Sequence, residues 1–233
     1  MLCDLHIHSC LSPCGDDEMT PYNLVAMAHL KGLELIALTD HNTARNCPAA
    51  AEVAAGFGMG FIPGIEVSTS EEVHVVCLFP DLSAALDMDA LIYENLPPIK
   101  NKAHIFGNQV LMDAGDTQLG EEERLLINAC SISLTELPLL VHARGGLVIP
   151  AHVTRQSGGL LPLLGSFPPD LDADAYEYAD DDPPEGMPHR LIQVKSSDAH
   201  RLVDIFEAEQ ALPLPLHSAD FGGLRDFLMR MET

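Results

Sequence analysis

The stretch Asp4-Leu5-His6-Ile7-His8-Ser9 decides how this chain is read. Polar and apolar residues alternate, the pattern of a short strand, and residues two apart on a strand point to one face. The imidazoles of His6 and His8 therefore converge near the strand's end, a geometry suited to one shared metal ion. With 11 histidines in 233 residues, a single His-x-His pair is unremarkable by itself. Repetition gives it weight, because later strand-like stretches also end in His, Asp or Glu.

Outward from that strand, expected over residues 2–8, strands and helices alternate. Thr20-Pro21 supplies an N-cap with Pro at the first helical position, Leu24, Met27, Ala28 and Leu30 form an apolar stripe, and Gly32 ends the helix. Residues 33–38 read as a buried parallel strand followed by Thr39-Asp40-His41-Asn42. The Ala-rich run 48–55 predicts a helix. Residues 60–67 predict a third strand carrying Glu66, and 73–79 a fourth carrying His74.

Residues 80–143 break the rhythm, with helices expected over 82–96, over 120–130 and from Thr135. A connection of this length predicts a helical insert over one rim of a single domain spanning 1–233. Its polar residues Asn101, Lys102, Asn108 and Gln109 fit a lid or a solvated surface, with the surface favoured. A fifth strand is expected at 146–151, ending at His152, and a weaker sixth at 173–178. An acidic loop at 179–188 precedes a seventh strand at 191–196, which runs into Ser197-Asp198-Ala199-His200, and a helix over 220–231 closes the chain. Seven strands with candidate ligands at their ends describe an α/β TIM-like barrel. A doubly wound sheet would gather its ligands at one crevice, whereas here they come from strands one to five and seven.

Composition narrows the partners. The net charge is −23, from 35 acidic and 12 basic residues, which repels a nucleic-acid backbone and makes a long duplex an unlikely substrate. A small anion is still attracted where bound cations dominate the local field. No apolar run reaches membrane-spanning length, and no basic or cleavable leader precedes the first strand, so a cytoplasmic location is expected. Six scattered cysteines read as reduced thiols. Cys10 and Cys14 lack the second pair a structural zinc site requires.

His-x-His, Thr-Asp-His, Gly-Ile-Glu, the fourth-strand His, Pro-Ala-His and Ser-Asp-Ala-His, in that order, resemble the PHP (polymerase and histidinol phosphatase) family of metal-dependent phosphoesterases. The resemblance spans residues 4 to 200 and implies a distorted seven-stranded (β/α) barrel holding up to three metals. By that resemblance His6, His8, Glu66 and Asp198 hold one ion, and Glu66 bridges to a second that also takes His74 and His152. A third takes His41, His200 and an acidic residue of the first loop. Counting back from Thr20 selects Asp16 for that place, with Asp17 and Glu18 as rivals. Val153 stands where relatives often have Pro after Pro-Ala-His.

The chemistry of the residues agrees. Mixed imidazoles and carboxylates suit Zn²⁺, Mn²⁺ or Fe²⁺ better than Mg²⁺ or Ca²⁺. Two or three adjacent cations generate a hydroxide nucleophile and stabilise charge on phosphoryl oxygens, which makes phosphoester hydrolysis the expected reaction. Glu66, Asp198 and His200 are the expected catalytic centre; His200 is read first as a ligand and second as a proton donor to the leaving oxygen. Asp40 is expected behind the ligands. The resemblance, in which relatives often carry Arg three positions after this His, implies that Arg155 holds the phosphate of a small phosphorylated substrate, while Arg45 and Arg201 read as surface charges. The competing reading is a PHP module that keeps its metals for stability or partner binding.

Overall fold

The computed structural model describes residues 1–178, 184–211 and 213–229. Part of the acidic loop expected over 179–188 and the end of the closing helix lie outside the described residues. Five strands form one mixed sheet in the order β1 (Cys3–Ile7), β2 (Leu35–Leu38), β3 (Gly60–Ser68), β4 (His74–Leu78) and β7 (Leu147–Pro150). A separate parallel pair, β8 (Ala175–Glu177) and β9 (Ile192–Val194), continues the curl. Among the described residues the expected α/β architecture takes the form of a curled five-stranded sheet with a separate two-stranded extension, and the distorted seven-stranded barrel is not seen as a closed ring.

The direction of β4 explains the difference. β1, β2 and β3 run parallel, joined by helices α1 (Pro21–Leu30) and α2 (Cys47–Phe57). β4 returns antiparallel to β3, with Ser68 opposite His74, and β7 runs antiparallel to β4. The connection at 69–73 is too short for a helical crossover and long enough for a hairpin. His74 thus begins its strand and still reaches the rim where β1, β2 and β3 end.

Two apolar clusters hold the sheet. Alternate residues of β4 divide between them, Val75 and Cys77 with one, Val76 and Leu78 with the other, as the two-residue strand period requires. The first cluster includes Leu24 and Ala28 of α1, Ala50 and Val53 of α2, and Met88 and Ile92 of α3 (Leu82–Asn95). The second joins Leu5, Leu35, Ile62, Leu147 and Ile149 to Ala175, Val194 and Leu224 of the C-terminal helix α7 (Phe221–Met229). Helix ends follow their sequence signals: Thr20 accepts the Asn23 N–H at 3.2 Å, Asp81 accepts the Ala84 N–H at 2.9 Å, and α2 ends on left-handed Gly58.

The insert is not wholly helical. After α3 comes one turn, α4 (Ala103–Phe106), and then an antiparallel hairpin of β5 (Val110–Met112) and β6 (Gln118–Glu121). The helix expected over 120–130 does not form. Asp113 accepts the N–H groups of Gly115 and Thr117, and that side-chain turn commits the chain to a hairpin. Short helices α5 (Leu137–His142) and α6 (Leu160–Leu164) flank β7. Among the described residues no helix is long and apolar enough to cross a membrane.

Candidate metal centre

Glu66, fully buried near the end of β3, is the hub of the rim. The β2–β3 ladder extends past β2 through a His41–Glu66 bridge, in which Glu66 N–H donates to Asp40 O and Asn42 N–H to Glu66 O. Glu66 Oε1 lies 3.0 Å from His74 Nδ1, 3.1 Å from His152 Nε2 and 3.4 Å from His6 Nε2. Its Oε2 lies 2.8 Å from His41 Nδ1 and 3.4 Å from His8 Nε2. Opposite, Asp198 Oδ1 stands 3.0 Å from His8 Nε2 and 3.4 Å from His6 Nε2. His200 Nδ1 donates to the Asp198 carbonyl, and its ring stacks on His8 with centroids 4.2 Å apart.

Hydrogen bonds behind the rim fix several tautomers. Ser12 Oγ gives its proton to Asp40 Oδ1, so it accepts from His8 Nδ1–H at 2.9 Å. His6 Nδ1 donates to Glu177 Oε2 at 2.9 Å. Each ring has spent its neutral-form proton on the side away from the site, yet His6 Nε2 and His8 Nε2 face each other at 3.0 Å. His41 Nδ1 and Glu66 Oε2, buried and close but outside hydrogen-bonding geometry, have no other hydrogen-bond partner. Donor pairs aimed at one point in this way fit a divalent cation.

Charge balance agrees. Burial alone would lower the His6 pKa, but Glu177, Glu66 and Asp198 outweigh it and hold it well above its ordinary value. Burial, with His200 adding, holds His8 well below. Burial opposes the charge on Glu66, yet His74, His41 and His6 keep its carboxyl far below the usual range.

Among the described residues, three groups of donors each lie within 4.8 Å of one another: His6, His8 and Asp198; His41, Glu66 and His74; His8, His41 and His200. These differ from the expected partition, since His41 sits nearer Glu66 and His74, although it also reaches His200. His152 touches Glu66 and lies outside the three groups. So does Asp16: its exposed carboxylate accepts the Glu18 N–H at 3.0 Å, and only its backbone meets His200, donating to the carbonyl at 2.9 Å. Asp17 instead accepts from Asn108.

Asp40 lies behind His8, linked to it through Ser12, and accepts from Ser9 N–H, Ser9 Oγ and Ser12 Oγ. Arg155, half exposed, sets its guanidinium against Asp198 Oδ2. Arg45 pairs with Glu122 and Arg201 with Asp204. The six cysteines are unpaired, and none joins a donor group. Glu177, which orients His6 and accepts the His152 N–H at 3.1 Å, is the residue the sequence reading missed. Its place at the end of a strand was the available signal. Two rim residues, His152 (φ 29°) and Asp198 (φ 50°), hold left-handed backbone, the kind of strain that collects at functional sites. Gly158 leaves room for His74, whose ring would lie 2.7 Å from a Cβ there.

The family model for the PHP domain matches residues 4–143, more than half of the chain. The chain belongs to the PHP family. The 5′-3′ exoribonuclease Rnm of Escherichia coli is 30% identical over 172 residues, which cover 65% of this chain and 58% of the enzyme. The 3′,5′-nucleoside bisphosphate phosphatase of Chromobacterium violaceum is 40% identical over 78 residues, 32% of this chain and 26% of that protein. In both cases the match covers less than two thirds of the relative. Among solved structures, the lesion-specific endonuclease EndoQ from Pyrococcus furiosus superposes with a TM-score of 0.69 at 19% identity, covering 97% of this PHP chain and 55% of the endonuclease. That likeness establishes a shared fold.

Proposed function

We propose that this PHP chain is a metal-dependent phosphoric-ester hydrolase acting on a small phosphorylated molecule, a nucleotide or metabolite phosphate monoester. The observation that carries the reading is the meeting of imidazole and carboxylate donors around Glu66, with bare nitrogens facing one another at 3.0 Å. His6, His8, Glu66 and Asp198 would hold one ion, and Glu66 with His74, His152 and His41 a second. His200, with His8 and His41 near it, offers a third position. The donor chemistry favours Zn, Mn or Fe. Such ions supply a nucleophile from water near neutral pH and offset charge on the phosphoryl oxygens.

The protein's own groups do the rest. Arg155 reaches the rim from solvent and has N–H groups to spare for a phosphate beyond its contact with Asp198. Burial holds His200 below its ordinary pKa, which suits a neutral ligand better than a proton donor. Glu66 and Asp198 keep the cluster anionic enough to retain cations. The net charge of −23 disfavours a duplex, so the RNA ends suggested by the exoribonuclease relative rank behind small monoesters. Six unpaired cysteines support a reducing, cytoplasmic compartment.

The test is a panel of phosphate monoesters, with a short 5′-phosphorylated RNA included, assayed on chelator-treated protein reloaded with Mn²⁺, Zn²⁺ or Fe²⁺. Turnover restored by metal is the expected result. Bound metal without turnover of any phosphoester would replace this reading with that of a metal-binding structural module.

A further inference from the structure

A cavity of about 350 Å³ opens beside His74, bounded by Ser68, Glu72, Asn128, Gln156 and Ser157. This is the volume of a small-ligand pocket, and one of the proposed metal-holding histidines forms part of its wall. Ser68 is 2% exposed, and its hydroxyl has no hydrogen-bond partner. A buried hydroxyl without a partner carries a cost that a bound ligand atom would remove. The polar lining consists otherwise of amides and hydroxyls, with one carboxylate from Glu72. Among the described residues no Lys or Arg lines the cavity.

Resting on the hydrolase reading above, we infer that this cavity holds the leaving group of the phosphoester and selects an uncharged, hydroxyl- or amide-bearing one, such as a nucleoside or sugar. The reacting phosphate sits at the rim, where the ions proposed above would be held and where Arg155 reaches Asp198. The rest of the substrate extends past His74 into a pocket whose donors and acceptors pair with neutral polar groups. Glu72 repels a second phosphate carried by the leaving group, and no basic residue offsets that repulsion. The pocket therefore discriminates between a monophosphate and a bisphosphate built on the same nucleoside.

The experiment compares kcat/KM for adenosine 5′-monophosphate and adenosine 3′,5′-bisphosphate in the Mn²⁺-loaded protein and in its Glu72→Lys variant, with p-nitrophenyl phosphate as a reference ester. The wild type should prefer the monophosphate by about tenfold or more, and Glu72→Lys should shift the ratio toward the bisphosphate by a similar factor. Ser68→Ala should raise KM for the monophosphate while leaving KM for the reference ester in place. An unchanged ratio in Glu72→Lys, in protein that still hydrolyses the reference ester, would overturn the pocket assignment alone. Loss of all three hydrolyses in metal-loaded wild type would overturn the hydrolase reading and the pocket assignment together.

Discussion

The two sides of Glu66 are built differently. On the β1 side, His6 and His8 are each fixed from behind, His6 by Glu177 and His8 by Ser12 leaning on Asp40. On the β4 side, His152, whose Nε2 faces Glu66, keeps a buried Nδ1 with no hydrogen-bond partner. A ring whose outer nitrogen is held has one tautomer and one orientation, so the β1 side is organised before any ion arrives. The β4 side, next to the cavity beside His74, takes its order from Glu66. The contrast teaches that one position is built for tight retention and the other for adjustment to what binds.

The largest expected effect is at the hub. Glu66→Gln and His8→Ala should abolish turnover and deplete bound metal, measured by elemental analysis beside the assay; unchanged metal content in both would break the comparison. Next come the groups behind the β1 side. Glu177→Gln and Asp40→Asn should weaken metal affinity by about 10- to 100-fold, read by competition with a fluorescent chelator. His152→Ala should leave the tightest-binding ion in place and lose the weaker one. If His152→Ala removed the tightest ion and Glu177→Gln removed none, the two sides would have to be exchanged. Arg155→Ala should raise KM by about tenfold with little change in kcat, because it removes a phosphate contact and no proposed ligand.

The smallest effect concerns His142, away from the rim. Its hydrogen bond to Asp174, with Asp172 adding, raises its pKa against partial burial. The folded state therefore holds this proton more tightly than the unfolded chain. The stabilisation is fully present below about pH 6.5 and is lost as pH rises through the elevated folded value. The Tm difference between wild type and His142→Gln should be widest near pH 5.5 and narrow above neutrality. A difference that grew with pH would contradict this sign.

The rim was legible because its residues sit in short motifs at strand ends, where a two-residue period fixes the direction of each side chain. His6, His8, His41, Glu66, His74, His152, Asp198 and His200 are all brought together. Strand direction was harder to read. The helix-strand alternation suggested parallel neighbours throughout, and only the brevity of residues 69–73 signals the hairpin that reverses β4. Glu177 was obscured by a three-residue strand in a chain rich in acids. The β5–β6 hairpin depends on the Asp113 turn, which outweighs the helical propensity of the residues after Gly120. Asp16 shows the limit of counting along a loop, since its backbone reaches His200 while its carboxylate caps Glu18.

The most direct measurement is anomalous scattering from crystals soaked in Mn²⁺, recorded at the manganese edge. Peaks between His6, His8 and Asp198 and on the opposite side of Glu66, with the first fully occupied, are the predicted result. A map with no peak within bonding distance of Glu66 would contradict the account.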